Sequence, residues 1–222
     1  MKSLTIYKST IAFLIVIMFS CVYLSVATAQ EERPDVAQSS NQVSPILIGQ
    51  KMPEVALKNA KGKRVTLSSL ATDKPAVIVF YRGGWCPYCN RQLSGLADIK
   101  QDIEEIGYRL VGVCMDQPSI LKKYKSANHI KFPIYSDHTA EAVTALGIGY
   151  KVSDETVQKY LQNGIDLEKA SGEDHHILPV PTVLLVDKSG KVLFKYANPD
   201  YRVRLEKDVL LAAAEAYYPS GD

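Results

Sequence analysis

A chain of 222 residues, 46% hydrophobic and 23% charged, is bounded to one globular domain plus extensions. Its net charge of +2 comes from Lys2 and Lys8 at the N-terminus. The neutral remainder gives no electrostatic case for a nucleic-acid partner.

Residues 1–29 read as a signal peptide. Lys2 and Lys8 form a basic start, Ser9 to Gln30 is uncharged and apolar, and Ala27-Thr28-Ala29 is a small-x-small site with cleavage expected before Gln30. The uncharged run is also long enough to span a bilayer, so an uncleaved N-terminal anchor is the alternative. A lipid-modified Cys21 is a third reading, although Met18-Phe19-Ser20 makes a poor lipoprotein box. Either way the folded part is expected outside the cytoplasm, in the periplasm or cell envelope. It meets the membrane only through the N-terminal segment, and only if that segment is uncleaved. The exported part holds Cys86, Cys89 and Cys114, an odd number that makes a poor structural disulfide framework.

Residues 30–45 are polar and read as a flexible linker, and residues 46–222 as the domain. Val55–Leu57 and Val65–Leu67, joined by Asn59-Ala60-Lys61-Gly62-Lys63, predict a β-hairpin, with a short turn at Ser68–Leu70. Ala76–Phe80 is a short apolar run and predicts a buried strand. Leu93, Leu96, Ile99, Ile103 and Ile106 recur at helical spacing, and Gly107 stops the helix. Arg109–Cys114 is a second buried strand and Pro118–Ala127 a helix. Phe132–Tyr135 is a short strand whose proline argues for an edge or a strand start. Thr139–Leu146 is a short helix. Gly147–Leu178 breaks the α/β rhythm. It reads as an insertion near the site, helical over Ser153–Leu161 and a polar loop over Gly164–His176, with His175 and His176 solvated. Thr182–Asp187 and Val192–Tyr196 form a second hairpin, and Leu205–Tyr217 closes the chain as a helix with Val209, Leu210, Ala213 and Tyr217 on one face. The order is a β-hairpin, then βαβα, then ββα. That predicts an α/β fold with a central mixed sheet and helices on both faces.

Between the first buried strand and its helix stands Phe80-Tyr81-Arg82-Gly83-Gly84-Trp85-Cys86-Pro87-Tyr88-Cys89. The first amides of a helix have no intrahelical partners and carry partial positive charge, so they stabilise a thiolate. A thiol there drops from a pKa of about 8.5 to roughly 3.5–7.5. Pro87 suits the first helical position, which places Cys86 at the cap and Cys89 one turn further on the same face. The spacing serves a redox disulfide. Zinc would need two more ligands, and the positions of Cys114, His175 and His176 resemble no zinc ribbon or finger. Cys114 lies in a strand and reads as a small hydrophobe, while His129 and His138 carry no signal.

From Gly49 to Tyr217 the chain resembles the thioredoxin-fold, peroxiredoxin-like (AhpC/TSA) family, on the Cys86 segment, Gly112-Val113-Cys114, Phe132-Pro133 with Ser136-Asp137, and the Thr182–Gly190 strand and turn. The resemblance implies a thioredoxin-like fold. It also implies a thiol-dependent enzyme that takes hydroperoxides, with a thioredoxin-type dithiol as reductant and no cofactor. The family's Pro-x-x-x-Thr-x-x-Cys, laid on this chain, puts its cysteine on Cys89, its threonine on Cys86 and its proline on Arg82, and the family's late arginine falls near Pro181. Trp85-Cys86-Pro87-Tyr88-Cys89 matches the thioredoxin Trp-Cys-x-x-Cys instead. Val180-Pro181-Thr182 resembles its cis-proline turn, with Val180 backbone free to pair with an extended substrate.

The two registers disagree on the nucleophile. Helix-cap physics favours Cys86 as the attacking thiolate and Cys89 as the resolving thiol. Arg82 is a candidate to stabilise the thiolate, Gly83 and Gly84 to admit close approach, and Trp85 to pack over the pair, with Pro87 and Pro181 shaping the site. Two other functions fit the same pair: thiol–disulfide exchange on protein disulfides, and a non-enzymatic thiolate metal-binding module.

Overall fold

The computed structural model describes residues 36–127 and 130–218. The signal-peptide reading, the cleavage site and His129 lie outside the described residues.

The chain runs β1 (Ala56–Asn59), β2 (Arg64–Thr66), β3 (Ala76–Tyr81), α1 (Pro87–Asp98), α2 (Lys100–Ile106), β4 (Arg109–Cys114), α3 (Pro118–Ala127), β5 (Ile134–Ser136) and α4 (Glu141–Ala145). It continues β6 (Gly149–Lys151), α5 (Asp154–Gln162), α6 (Leu167–Ser171), β7 (Ile177–Pro179), β8 (Thr182–Val186), β9 (Val192–Ala197) and α7 (Lys207–Ala216). Among the described residues the main sheet has the order β2-β1-β5-β4-β3-β8-β9, and β6 and β7 pair separately. β3 runs parallel to β4 and antiparallel to β8, so the sheet is mixed, as expected.

β3 is buried along its whole length because both its faces are covered. Side chains alternate across a strand. Ala76, Ile78 and Phe80 enter one core with Leu184, Val186, Ala142 and Leu167, while Val77, Val79 and Tyr81 enter the other with Leu93, Ile103, Leu121 and Leu210. Helices therefore pack on both faces. This explains why Ala76–Tyr81 is continuously apolar rather than alternating.

Several expected elements shift. The long helix after Cys86 breaks at Ile99 (φ −96°, ψ 9°) into α1 and α2, although Ile99 and Ile103 are both buried as their spacing required. The strand expected at Phe132–Tyr135 begins later, at Ile134, and sits inside the sheet between β1 and β4. Pro133 lies just before it, where a missing N–H costs no ladder bond. In α7, Leu210, Ala213 and Ala214 are buried while Val209 and Tyr217 face outward. Residues 36–45 do not hang free as a linker. Lys151 N–H donates to Ala37 O, Ile46 N–H donates to Leu146 O, and Val43 packs on the first core.

The irregular stretch after α4 holds β6, α5, α6 and β7. Ser153 caps α5 by accepting from Thr156 N–H, and Asp166 caps α6 by accepting from Lys169 N–H, so part of the expected polar loop is helical. His175 and His176 are tied down rather than solvated. His175 bonds His138 O and Ile177 N–H, and His176 meets Glu168 at 2.9 Å.

Candidate active site

β3 and β4 are parallel and end together, with Tyr81 opposite Cys114. Carboxyl ends of parallel strands are where α/β sheets gather their chemistry. The loop from Arg82 to Trp85 leaves β3 there. Gly84 N–H donates to Asp116 Oδ2 at 2.6 Å, Gly84 O accepts from Asn90 Nδ2 at 2.8 Å, and Cys86 N–H bonds Gly83 O at 3.1 Å. The two glycines are required by close packing. A Cβ on Gly84 would sit 2.3 Å from the Tyr124 ring, and one on Gly83 2.7 Å from Asp116 Oδ1.

Cys86 is the N-cap of α1, in extended geometry (φ −90°, ψ 112°), with Pro87 as the first helical residue. The strand-to-helix placement read from the sequence therefore holds. Both sulfurs are reduced and buried, with Cys86 1% and Cys89 0% exposed.

The pair is electrostatically split. The Cys86 thiol is lowered to about 6, first by the hydrogen bond the Cys89 thiol donates to it, against burial, and then by Arg82, the Cys89 backbone N–H and Arg204. Cys89 is pushed well up, first by burial and then because its proton is held by Cys86. One cysteine is thus a thiolate at neutral pH and the other a thiol.

Arg82 is 2% exposed, so it is buried at the site and not a solvated loop arginine. Its guanidinium sits 4.8 Å from the Trp85 ring centre, 5.2 Å from that of Tyr160 and 4.3 Å from that of Tyr201, and it donates to Tyr160 Oη. Such an aromatic cage holds a cation without neutralising it. Its charge therefore stays available to Cys86. Trp85 packs against Tyr160 at 5.9 Å rather than standing alone in the core. Tyr160 arrives on α5, so the insertion does reach the site.

Pro181 is buried at the head of β8, beside the end of β3. The expected cis bond is absent: no described peptide is cis. Val180 is not free for an extended substrate either. Its N–H donates to Ile148 O at 2.9 Å and its carbonyl accepts from Thr182 Oγ1 at 3.0 Å, because β7 pairs with β6 up to this point. Cys114 is fully buried with its thiol pushed well up by desolvation, which suits a packing residue. Among the described residues no group of three or more His, Cys, Asp or Glu side chains is arranged to hold a metal ion.

Besides Tyr160, three site residues escaped the sequence reading. Arg204 Nη2 lies 3.4 Å from Cys89 Sγ and 4.0 Å from Cys86 Sγ. Tyr201, in the same loop before α7, covers Arg82 and packs edge-on against Tyr88 at 5.6 Å. That loop has no periodicity and lies far along the chain, so no local signal marks it. Asp116 is 0% exposed, and its carboxyl is raised to about 7 by burial, opposed by the Gly84 N–H and the Cys114 thiol. A carboxylate just beyond the carboxyl end of a buried strand was the available clue.

Comparison with known proteins bears on the family and the fold. A Mycobacterium tuberculosis protein named as a peroxiredoxin is 30% identical over 99 residues, a match that spans 45% of this chain and 62% of that protein. The thiol-disulfide oxidoreductase ResA of Bacillus anthracis is 21% identical over 160 residues, covering 72% of this chain and 75% of ResA. Among solved structures, a peroxiredoxin-like protein from Aquifex aeolicus superposes with a TM-score of 0.62 at 19% identity, covering 84% of this chain and 98% of the other. Reduced Prx3 of Vibrio vulnificus with hydrogen peroxide superposes with a TM-score of 0.63 at 17% identity, covering 77% and 99%. These likenesses show the thioredoxin-type fold. The AhpC/TSA family model matches residues 48–195, and the chain belongs to the AhpC/TSA family.

Proposed function

We propose that this protein reduces hydroperoxides through Cys86 and Cys89 and is returned to the dithiol by an external thiol, a thioredoxin-type dithiol on the family's example. The observation that carries this reading is the split pair: Cys86 lowered to about 6 beside a Cys89 that keeps its proton. The Cys86 thiolate attacks the terminal oxygen of R–O–OH. The O–O bond breaks, Cys86 becomes the sulfenic acid, and RO⁻ takes a proton to leave as ROH. The negative charge that held the Cys89 proton is then gone. Cys89 loses its proton to solvent, Arg204 faces the resulting thiolate, and its attack on the sulfenic sulfur breaks the S–O bond, forms the Cys86–Cys89 disulfide and expels hydroxide, which takes a proton from solvent to leave as water. The reductant's two thiols reopen that disulfide and become a disulfide themselves.

Burial favours a small oxidant over a protein disulfide as substrate. With Cys86 1% and Cys89 0% exposed, any protein partner, a disulfide substrate and a thioredoxin-type reductant alike, has to displace the Tyr201–Arg204 loop to reach the sulfurs, so the preference concerns the oxidising step alone. Thiol–disulfide exchange on envelope proteins is the second reading, favoured by Trp85-Cys86-Pro87-Tyr88-Cys89 and by the similarity to ResA. Stopped-flow oxidation of the reduced protein by hydrogen peroxide and, separately, by a scrambled disulfide protein decides between them. Faster oxidation by the protein disulfide would put the second reading first. Export through residues 1–29 belongs to the same proposal, and the intact mass of the envelope-derived protein tests it. A chain that keeps Met1 would be anchored instead.

A further inference from the structure

Beside the cysteine pair, between α1 and the loop entering α7, lies a cleft of about 330 Å³. Its walls are mixed. Tyr88, Leu96, Val203 and Leu205 supply apolar surface, and Val203 is 46% exposed. Arg91, Arg202, Arg204 and Lys207 stand against Glu206 as the one acidic residue of the lining. Arg202 is committed, donating through Nε and Nη2 to the two oxygens of Asp200 at 2.9 and 2.8 Å. Arg91 and Lys207 are exposed and have no ion pair of their own among the described residues. Arg204 joins the cleft to the chemistry. Its Nη1 donates to Gln92 Oε1 at 3.2 Å, and its Nη2 faces both sulfurs.

We propose that this cleft binds a small, carboxylate-bearing thiol, which serves as a second class of reductant for the Cys86–Cys89 disulfide. The proposal rests on the redox reading of the pair and names a donor for it. The volume suits a small molecule rather than a protein surface. Two available cations, Arg91 and Lys207, concentrate an anion, and a carboxylate held on either leaves the thiol end of the same molecule free to reach the sulfurs past Arg204. The reaction balances. A first thiolate RS⁻ attacks Cys86 Sγ, the Cys86–Cys89 bond breaks, and Cys89 leaves as a thiolate that takes a proton from solvent. A second RS⁻ attacks the RS sulfur of the mixed disulfide. RSSR forms, and Cys86 leaves as the thiolate its surroundings favour.

The test uses the full chain oxidised by one equivalent of hydrogen peroxide, with the disulfide checked by mass. Reduction is followed by fluorescence of Trp85, the single tryptophan, using glutathione, 2-mercaptoethanol and cysteamine as anionic, neutral and cationic thiols. Rates normalised to thiolate should fall in that order, with a spread of about tenfold or more at low salt that collapses at about 0.5 M salt. In R91E/K207E, checked for native circular dichroism, the glutathione-to-cysteamine ratio should invert. Equal normalised rates for the three thiols, or an unchanged ratio in R91E/K207E, would overturn the proposal. Failure to form the disulfide at all would overturn the redox reading and this proposal with it.

Discussion

Arg204, 115 residues beyond Cys89 in the chain, holds its Nη2 3.4 Å from the Cys89 sulfur. The same nitrogen lies 4.0 Å from Cys86, so one cation faces both sulfurs. Cys86 has a second cation in Arg82, whereas Arg204 is the charge that lowers Cys89. Arg204→Gln should therefore slow disulfide closure more than peroxide attack. At a surface-like effective dielectric the lost attraction amounts to about 1–2 kcal/mol after solvent screening, or roughly tenfold in the closure rate. Trapping the sulfenic acid with dimedone checks this: the variant should accumulate more adduct than the parent at equal peroxide.

The pH dependence of alkylation follows from the split pair. Iodoacetamide should label Cys86 with a rate that rises through pH about 6 and then levels, because the thiolate reacts. The hydrogen bond from the Cys89 thiol is the leading cause of that lowering, so Cys89→Ala should move the rise to higher pH. Cys89→Ala should still form a trappable adduct on Cys86, whereas Cys86→Ser should abolish peroxide consumption. A low-pH labelling step that persists on Cys89 in Cys86→Ser would reverse the two roles.

Asp116 makes stability depend on pH. Its carboxyl titrates at about 7 when folded, against an ordinary value near 3.9 when unfolded. Between those values the folded state holds a proton the unfolded state has lost, so stability falls as pH rises from about 4 to about 7 and levels beyond. Asp116→Asn removes this term. Its unfolding free energy from urea titrations should gain on the parent's between pH 4 and pH 8 by an amount on the order of a few kcal/mol. Asp137, also raised to about 7 by burial against the lowering effect of the Ala142 and Val143 N–H bonds, acts equally in both proteins and cancels from the comparison.

Gly84 is a packing requirement of the cysteine loop. Its added Cβ would lie 2.3 Å from two Tyr124 ring carbons while Gly84 N–H is fixed on Asp116. Gly84→Ala should cost about 1–3 kcal/mol in chemical denaturation. Tyr124→Ala in the same chain should recover part of that loss, and a double-mutant cycle measures the coupling.

The sequence alone determined whatever rests on local pattern. The unbroken apolar run Ala76–Phe80, the helical spacing of Leu93, Leu96 and Ile103, and the thiols at a strand-to-helix junction each need only neighbouring residues, and each stands as read. The period that placed Ile99 and Ile103 in the core could not show the break between α1 and α2, because both sides of the break keep the same buried face. Only the tertiary structure decided what surrounds the sulfurs. Val180-Pro181-Thr182 reads like a cis turn, yet its peptide bond is trans, and pairing of β7 with β6 commits the Val180 N–H to Ile148. Arg82 reads equally well as a loop arginine until Tyr160 and Tyr201, from an insertion and a late loop, close around it. Arg204 and Asp116 come from segments without periodicity. Arg204 meets Cys89 at 3.4 Å and Asp116 meets Gly84 N–H at 2.6 Å, approaches between residues far apart in the chain that the fold alone creates.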